Sequence, residues 1–329
     1  MVESWLDHDA CESALHSRLM HASTALSLNF CGLSLANPVA LAAGTAGYGP
    51  ELNDAFDLSR VGAVVAKSIT CEPREGNAPM RIIDSSAGML NAIGLTNVGL
   101  AVFQAQKLTS RAEIGCKLFG SVAGHSVQEY ATVAQAFDID KSIDAIELNV
   151  SCPNTSDGLQ FAEHPDALRS LLREVRPVVT HKPLIVKLSP NAPDIVKMAD
   201  AAIDAGADAL TVANTFTAMA IDVQTRSFRL SNKRGGYSGA GIHPIIVRMI
   251  YDVYSKVARD AKKPIIGLGG VSRWEDAAEF ILAGATLVGM GTALYIDPRS
   301  PLRVVDGLAR WTKAQGCSNI QELIGKVKD

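Results

Sequence analysis

The sequence has no surplus of charge of one sign and no run of basic residues. Lysine and arginine total 31 against 34 aspartates and glutamates, so the formal net charge is −3. Proteins that follow a phosphate backbone need a basic surface, which argues against nucleic acid as a partner. Long apolar runs are also lacking. None approaches the roughly 18 residues that a membrane-spanning helix requires, so we expect no membrane segment.

The cysteines lack the paired spacing of a disulfide framework, a zinc site or an iron–sulfur cluster. There are six, scattered along the chain: Cys11, Cys31, Cys71, Cys116, Cys152 and Cys317. We therefore expect free thiols, no metal and a reducing, cytoplasmic setting. Residues 1–27 place acidic side chains ahead of any apolar run, unlike a secretory signal or a transit peptide, and are interpreted as an N-terminal extension.

What the chain does have is a repeating pattern of strands and helices. With 329 residues, 47% of them hydrophobic, it can bury the core of one large domain. Short runs of valine, isoleucine and leucine alternate with helical patterns, typical of βα units around a parallel sheet. Strands are predicted at residues 39–43, 63–69, 117–122, 145–150, 184–188, 209–213, 264–268 and 287–290. Eight such units predict an α/β fold, a single TIM (β/α)8 barrel over residues 28–329.

Boundary signals support these units and pick out three long loops. Ser272 and Glu275 are predicted to form a capping box, and Gly284 to end the helix that follows. Long loops follow strands two and four, at residues 71–91 and 151–163, and residues 216–241 form the longest irregular stretch. All three would rise from the C-terminal face, where barrel active sites are built.

Cys152 stands where the fourth predicted strand breaks off at a proline, between Asn149 and Asn154. A cysteine inside a strand usually behaves as a small hydrophobe. One on the loop after a strand, reached by water and flanked by amides, can move protons. Cys152 is therefore a candidate for chemistry, although the motif alone equally fits a packed thiol beside turn asparagines.

Small and polar residues follow every predicted strand, which indicates a ligand lying across the barrel mouth. Glycines after strands seven and eight, with Gly239 on the long sixth loop, predict a phosphate seat of backbone N–H groups. Lys67 and Lys187 close strands that should be buried, and a buried ammonium needs an anionic partner.

Four asparagines lie on loops or strand ends of the same face: Asn91, Asn149, Asn154 and Asn214. Each amide offers both donors and an acceptor. Such a set suits the alternating N–H and C=O edge of a neutral pyrimidine ring.

Five motifs together resemble those of the dihydroorotate dehydrogenase family, from about Leu28 to the C-terminus. They are residues 67–77, 88–99, 147–154, 267–270 and 289–292. Cys152 stands where the membrane-associated class carries serine, so the chain is most similar to the soluble class 1 enzymes. Residues 88–95 resemble the catalytic subunit of the NAD-linked subclass 1B, whose partner subunit carries FAD and an iron–sulfur cluster.

The resemblance implies FMN-dependent oxidation of dihydroorotate to orotate in de novo pyrimidine biosynthesis. It implies that Cys152 takes the proton from C5 while hydride leaves C6 for N5 of FMN, and that Lys67 and Lys187 assist. The residues implied to bind FMN are Ala43, Gly44, Lys67, Ser68, Ser121, Asn149, Lys187, Val212, Gly239, Gly269, Gly270, Gly291 and Thr292. Those implied to bind substrate are Lys67, Asn91, Ile93, Gly94, Leu95, Asn149, Asn154, Asn214 and Thr215.

Some questions stay open at this point. Ser121 departs from the asparagine carried by much of subclass 1B. The implied assembly is a homodimer, or a heterotetramer with the electron-transfer subunit. Competing functions are a stand-alone class 1A-type enzyme that reduces fumarate, a reductase of uracil-type pyrimidines, and a non-catalytic barrel that binds a phosphorylated metabolite.

Overall fold

Eight parallel strands close into a barrel in the computed structural model, which describes residues 25–108, 114–151 and 161–328. The predicted fold class is confirmed. Each strand pairs with the strands before and after it in the chain, and the eighth pairs with the first. In chain order they are β1 Val39–Leu41, β2 Ala63–Val65, β3 Lys117–Val122, β4 Ala145–Asn149, β5 Leu184–Lys187, β6 Ala209–Val212, β7 Ile265–Leu268 and β8 Leu287–Met290.

Helices fill the connections and cover the outside of the barrel. The described α-helices are Gly99–Val102, Val127–Ile139, Pro165–Val175, Ile195–Asp204, His243–Val253, Trp274–Ala283, Ala293–Ile296 and Ser300–Ala314. Shorter 3₁₀ segments are Pro50–Leu52, Leu58–Arg60, Arg176–Val178, Ala240–Ile242 and Ile320–Leu323, and π-helical turns lie at Phe103–Lys107 and Tyr254–Ala258. No helix within the described ranges is both long and apolar enough to cross a bilayer.

The lower half of the barrel interior is apolar. Alternate residues of the strands point inward, and those near the strand starts, such as Ala63, Phe119 and Ile185, form one buried cluster. A hairpin of Leu28–Phe30 and Leu33–Leu35 closes this end, with the ring of Phe30 stacked on Phe119 at 6.0 Å between centroids. The described residues of the lower barrel therefore form a packed core.

The upper half of the interior is polar. Continuing the same inward alternation, Ser121, Glu147, Lys187 and Thr211 take the next layer, and all four are buried. Strand β2 ends at Val65, earlier than predicted, although Ile69 pairs again with Val122 of β3 as an isolated bridge. Between them, the backbone N–H of Lys67 donates to Gly47 O at 2.8 Å, on the loop after β1. Lys67 is thereby directed to the barrel mouth from the loop above β2.

A second, antiparallel sheet stands on the C-terminal face. Its strand order is Phe216–Met219, Arg234–Ser238, Gly88–Asn91 and Ile82–Ser85, and a small hairpin of Ile221–Asp222 and Ser227–Phe228 extends it. The prediction that residues 216–241 are irregular is therefore wrong. Loop six pairs with loop two through Gly236 and Asn91, which are far apart in sequence. Such distant pairing leaves no local periodicity to detect.

Candidate active site

A chain of hydrogen bonds joins four of the predicted site residues at the barrel mouth. Ser68 Oγ and Ser121 Oγ are 2.8 Å apart, and Asn149 Nδ2 donates to Ser68 Oγ at 3.4 Å. Asn214 Nδ2 donates in turn to Asn149 Oδ1 at 3.1 Å. Strands β3, β4 and β6 and the loop above β2 thus present one connected polar surface. Ser121 takes part in this surface through its contact with Ser68.

Lys187 ends β5 with its side chain inside the barrel. The residue is only 5% exposed, and its Nζ lies 3.9 Å from Oε1 of Glu147, which is 2% exposed. The other carboxylate oxygen of Glu147 accepts a hydrogen bond from Thr211 Oγ1 at 2.8 Å. The anionic partner that a buried lysine requires is therefore supplied, for this lysine, by the protein.

Lys67 has no such carboxylate among the described residues. Burial lowers the pKa of its ammonium, and the nearby charge of Lys187 lowers it further. A Cβ built on Gly44 would lie 3.5 Å from Lys67 Nζ, in ordinary van der Waals contact, so the lysine side chain lies directly beside the loop after β1. Among the described residues, the two lysines and Glu147 leave one positive charge in excess, which suits the mouth to an anionic ligand.

The loops after β6, β7 and β8 meet where the phosphate seat was predicted. Gly239 and Gly270 have φ values of 115° and 80°, a region that favours glycine. A Cβ on Gly270 would lie 2.9 Å from both Gly239 O and His243 Cα, so loops six and seven pack backbone against backbone. Thr292 Oγ1 donates to Ser238 Oγ at 2.8 Å and joins loop eight to them.

The turn at Ile93, Gly94 and Leu95 is held by Asn97, a residue that sequence reasoning missed. Gly94 and Leu95 both have left-handed backbone, with φ of 75° and 57°. The buried Asn97 side chain donates to Leu95 O and to Thr70 Oγ1, each at 2.8 Å. Its Oδ1 accepts the backbone N–H of Gly99 at 2.9 Å and of Thr70 at 3.3 Å.

The remaining predicted residues are placed as follows. Asn91 belongs to the second sheet and donates to Gly236 O at 3.2 Å, while the backbone N–H of Thr215 donates to Asn214 Oδ1 at 2.9 Å. Ala43, Gly44, Gly269 and Gly291 lie on the loops above β1, β7 and β8. The side chain of Val212 is buried in the core outside the strands, so only its backbone can face a ligand. Cys152 and Asn154 lie outside the described residues.

Glu147 and Tyr130 were also missed. The alternation that placed lysines inside the barrel puts Glu147 inside as well, so the signal was present in the sequence. Tyr130 lies on helix Val127–Ile139 and donates from its hydroxyl to Asn149 O at 2.6 Å, fixing the end of β4. Nothing in the sequence pattern singles it out from core aromatics.

Comparisons with known proteins agree over nearly the whole chain. A family model described as dihydroorotate dehydrogenase matches residues 25–311. The chain is 42% identical over 304 residues to the dihydroorotate dehydrogenase B (NAD(+)) catalytic subunit of Geotalea daltonii, covering 92% of this chain and 98% of that protein. It is 41% identical, with the same coverage, to a Solibacter usitatus protein whose name assigns it provisionally to dihydroorotate dehydrogenase A (fumarate).

A solved structure shows the same fold. The crystal structure of DHODH in complex with ferulenol from Eimeria tenella aligns with a TM-score of 0.76, covering 99% of this chain and 96% of that chain at 24% identity.

Proposed function

The chain belongs to the dihydroorotate dehydrogenase family, and on that basis we propose that it oxidises dihydroorotate to orotate in de novo pyrimidine biosynthesis, with FMN as its bound oxidant. One observation of the structure carries this proposal. A partly buried network of amides and hydroxyls adjoins two lysines, and among the described residues a single carboxylate, that of Glu147, offsets their charge. That combination suits a neutral ring bearing an anionic group.

The residues at the barrel mouth fit FMN. The excess positive charge suits a flavin that becomes anionic when reduced, and the close-packed glycine loops leave backbone near the phosphate seat. We propose that FMN is held by Ala43, Gly44, Lys67, Ser68, Ser121, Asn149, Lys187, Val212, Gly239, Gly269, Gly270, Gly291 and Thr292. When bound, FMN supplies at N5 the acceptor for the hydride that leaves C6 of dihydroorotate.

Substrate would be held by amides and by the fixed turn. The polar edges of the ring would form hydrogen bonds with Asn91, Asn149, Asn154, Asn214 and Thr215. The backbone of residues 93–95 would face the substrate carboxylate. Lys67, which has no carboxylate partner within the described part of the chain, would pair with this anionic group. The uncompensated charge favours dihydroorotate over a uracil-type pyrimidine, which has no carboxylate.

Cys152 would be the base that removes the C5 proton. That proton is α to a carbonyl and therefore acidified, and a thiol with an ordinary pKa of about 8.5 becomes a usable base as the pH rises. Position 152 comes three residues after Asn149, whose side chain joins the polar network. The proposed base, Cys152, is thus close in sequence to Asn149, the proposed ring contact at the end of β4.

We propose NAD as the final acceptor, reached through a partner subunit that carries FAD and an iron–sulfur cluster. The names of relatives at 42% and 41% identity include both NAD-linked and fumarate-linked enzymes, so fumarate is the second candidate. We further propose that residues 28–329 form one domain after an extension of 27 residues, and that the chain works in the cytoplasm as a homodimer or in a heterotetramer.

The experiment is rapid-mixing reduction of the bound flavin by dihydroorotate in wild type, Cys152→Ala and the control Cys317→Ala. We expect Cys152→Ala to keep FMN but to be reduced about 10²–10⁴-fold more slowly, while Cys317→Ala behaves as wild type. Reduction of Cys152→Ala at the wild-type rate would refute the role of the thiol.

The acceptor is tested with NAD or fumarate, added to the purified chain alone and to the chain with any copurifying subunit. NAD reduction only in the presence of that subunit supports subclass 1B. Turnover with fumarate by the chain alone supports class 1A, and a protein that binds no flavin supports the non-catalytic alternative.

A further inference from the structure

We infer that Glu147 is a positioning residue of this site, which holds the Lys187 ammonium inside the barrel and offsets its charge, and so limits how strongly a bound flavin is stabilised in its anionic form. The inference rests on the proposed binding of FMN. The roles proposed above for Lys67, Lys187 and Cys152 do not require a carboxylate inside the barrel, so they leave Glu147 unexplained.

The geometry fixes the carboxylate on one side only. Thr211 Oγ1 donates to Oε2 of Glu147 at 2.8 Å, whereas Oε1 is buried without a hydrogen-bond partner in the described structure. Lys187 Nζ is 3.9 Å from that same Oε1, too far for a hydrogen bond and close enough for strong electrostatic attraction. The carboxylate therefore acts on Lys187 mainly through charge.

A purely structural role does not explain a charge at this position. Burying two ions is costly, and well-packed apolar side chains of similar volume are often as stable or more so. The layer directly below shows that alternative, since Ala145 and Ile185 on the same two strands point inward and pack in an apolar cluster. The buried pair of Glu147 and Lys187 lies in the layer next to the mouth.

The two lysines of the mouth differ in whether a carboxylate offsets their charge. Lys187 has Glu147 at 3.9 Å, while Lys67 has no ion pair among the described residues. Removing the charge of Glu147 would leave both ammonium groups unopposed. For the carboxylate of Glu147 and the negative charge of an anionic flavin, we take a separation of roughly 10 Å and an effective dielectric constant of about 20. Their repulsion then changes the equilibrium constant for forming the anionic flavin by about tenfold or more.

The probe is sulfite, which adds to N5 of an oxidised flavin and places the negative charge on the pyrimidine end of the ring. We expect Glu147→Gln to bind sulfite about tenfold more tightly than wild type. For two-electron reduction the same factor corresponds to a midpoint potential about 30 mV higher. Glu147→Asp, which keeps the charge, is expected to stay within about twofold of wild type.

The matched control is Asp144→Asn, which removes the same charge at the opposite end of the barrel. Asp144 precedes β4, and its Oδ1 pairs with Lys117 Nζ at 3.2 Å at the start of β3. Sulfite affinity should be unchanged in this variant. An unchanged affinity in flavin-bound Glu147→Gln, or an equal shift in Asp144→Asn or Glu147→Asp, would overturn the inference.

A stability comparison decides the matter if Glu147→Gln does not fold. Lys187→Met leaves a buried carboxylate without its counter-charge, and the double variant Glu147→Gln/Lys187→Met removes both charges together. We expect the double variant to melt at a higher temperature than Lys187→Met. Equal or lower melting would mean that the two charges are not coupled, and the inference would fail. A wild-type protein without flavin would instead refute the proposed function.

Discussion

The close packing of loops six and seven predicts that Gly270→Ala damages the phosphate seat. Alanine at this left-handed position, φ 80°, costs about 1–2 kcal/mol of folding free energy. Its Cβ would also lie 2.8 Å from His243 Cβ and 2.9 Å from Gly239 O, and relieving such overpacking costs about 1–3 kcal/mol. The sum is about 2–5 kcal/mol. Because Gly239 and His243 must move apart, we expect FMN affinity to fall by about tenfold or more.

Gly32→Ala is the matched control. Gly32 has a similar left-handed backbone, φ 87°, but a Cβ there would meet nothing within 4 Å. It should lose about 1–2 kcal/mol of stability and bind FMN as wild type does. The assays are denaturant unfolding of both variants and fluorescence titration of the flavin-free proteins with FMN. An FMN affinity of Gly270→Ala within about twofold of that of Gly32→Ala would contradict a phosphate seat at these loops.

Three further predictions concern the turn that Asn97 holds, the thiols of Cys31 and Cys116, and the carboxylate of Asp138. Asn97→Ala loses four hydrogen bonds, so denaturant unfolding should show a loss of about 2–4 kcal/mol, with a raised KM for dihydroorotate; a normal KM would contradict the role given to the turn. Burial raises the pKa of Cys31 and of Cys116 to about 12, so peptide mapping at pH 8 should find both alkylated at least about 100-fold more slowly in the native protein than in urea, and equal rates would contradict their burial. Burial alone would raise the pKa of Asp138, but hydrogen bonds from His181 and its neighbours lower it below the ordinary 3.8. The stability that the ionised carboxylate contributes is thus present above pH 3.8 and lost as the pH falls through the lowered pKa. Asp138→Asn should therefore lower the free energy of unfolding by roughly 2–3 kcal/mol near neutral pH, and by less in that acid range.

The barrel could be predicted because its signal is local. Strands β3 and β8 lie where the runs of apolar residues place them, residues 117–122 and 287–290. The helix after β7 ends at Gly284 as predicted, with φ of 119°. Its capping box was misassigned, because the carboxylate that accepts from Ser272 Oγ at 2.9 Å belongs to Asp276 and not to Glu275. A shift of one residue between neighbouring acids cannot be resolved from spacing alone.

The site could be predicted only in part. Ser121, Asn149 and Asn214 were identified by their positions at strand ends. The structure joins Ser121 to Asn149 through Ser68, and Asn214 donates directly to Asn149. The pairing of loop six with loop two could not be predicted, because both segments are rich in glycine and polar residues. Glu147 was overlooked although its inward position follows from strand alternation. Lys187 was predicted to need an anion from a ligand, whereas Glu147 supplies one within the protein.

The most direct test of the account is anaerobic titration of the purified protein with dihydroorotate. We expect the protein to be yellow as isolated, and about one equivalent of dihydroorotate per bound FMN to bleach the flavin and yield orotate. A protein that binds no FMN, or whose flavin stays oxidised with excess dihydroorotate, would contradict it.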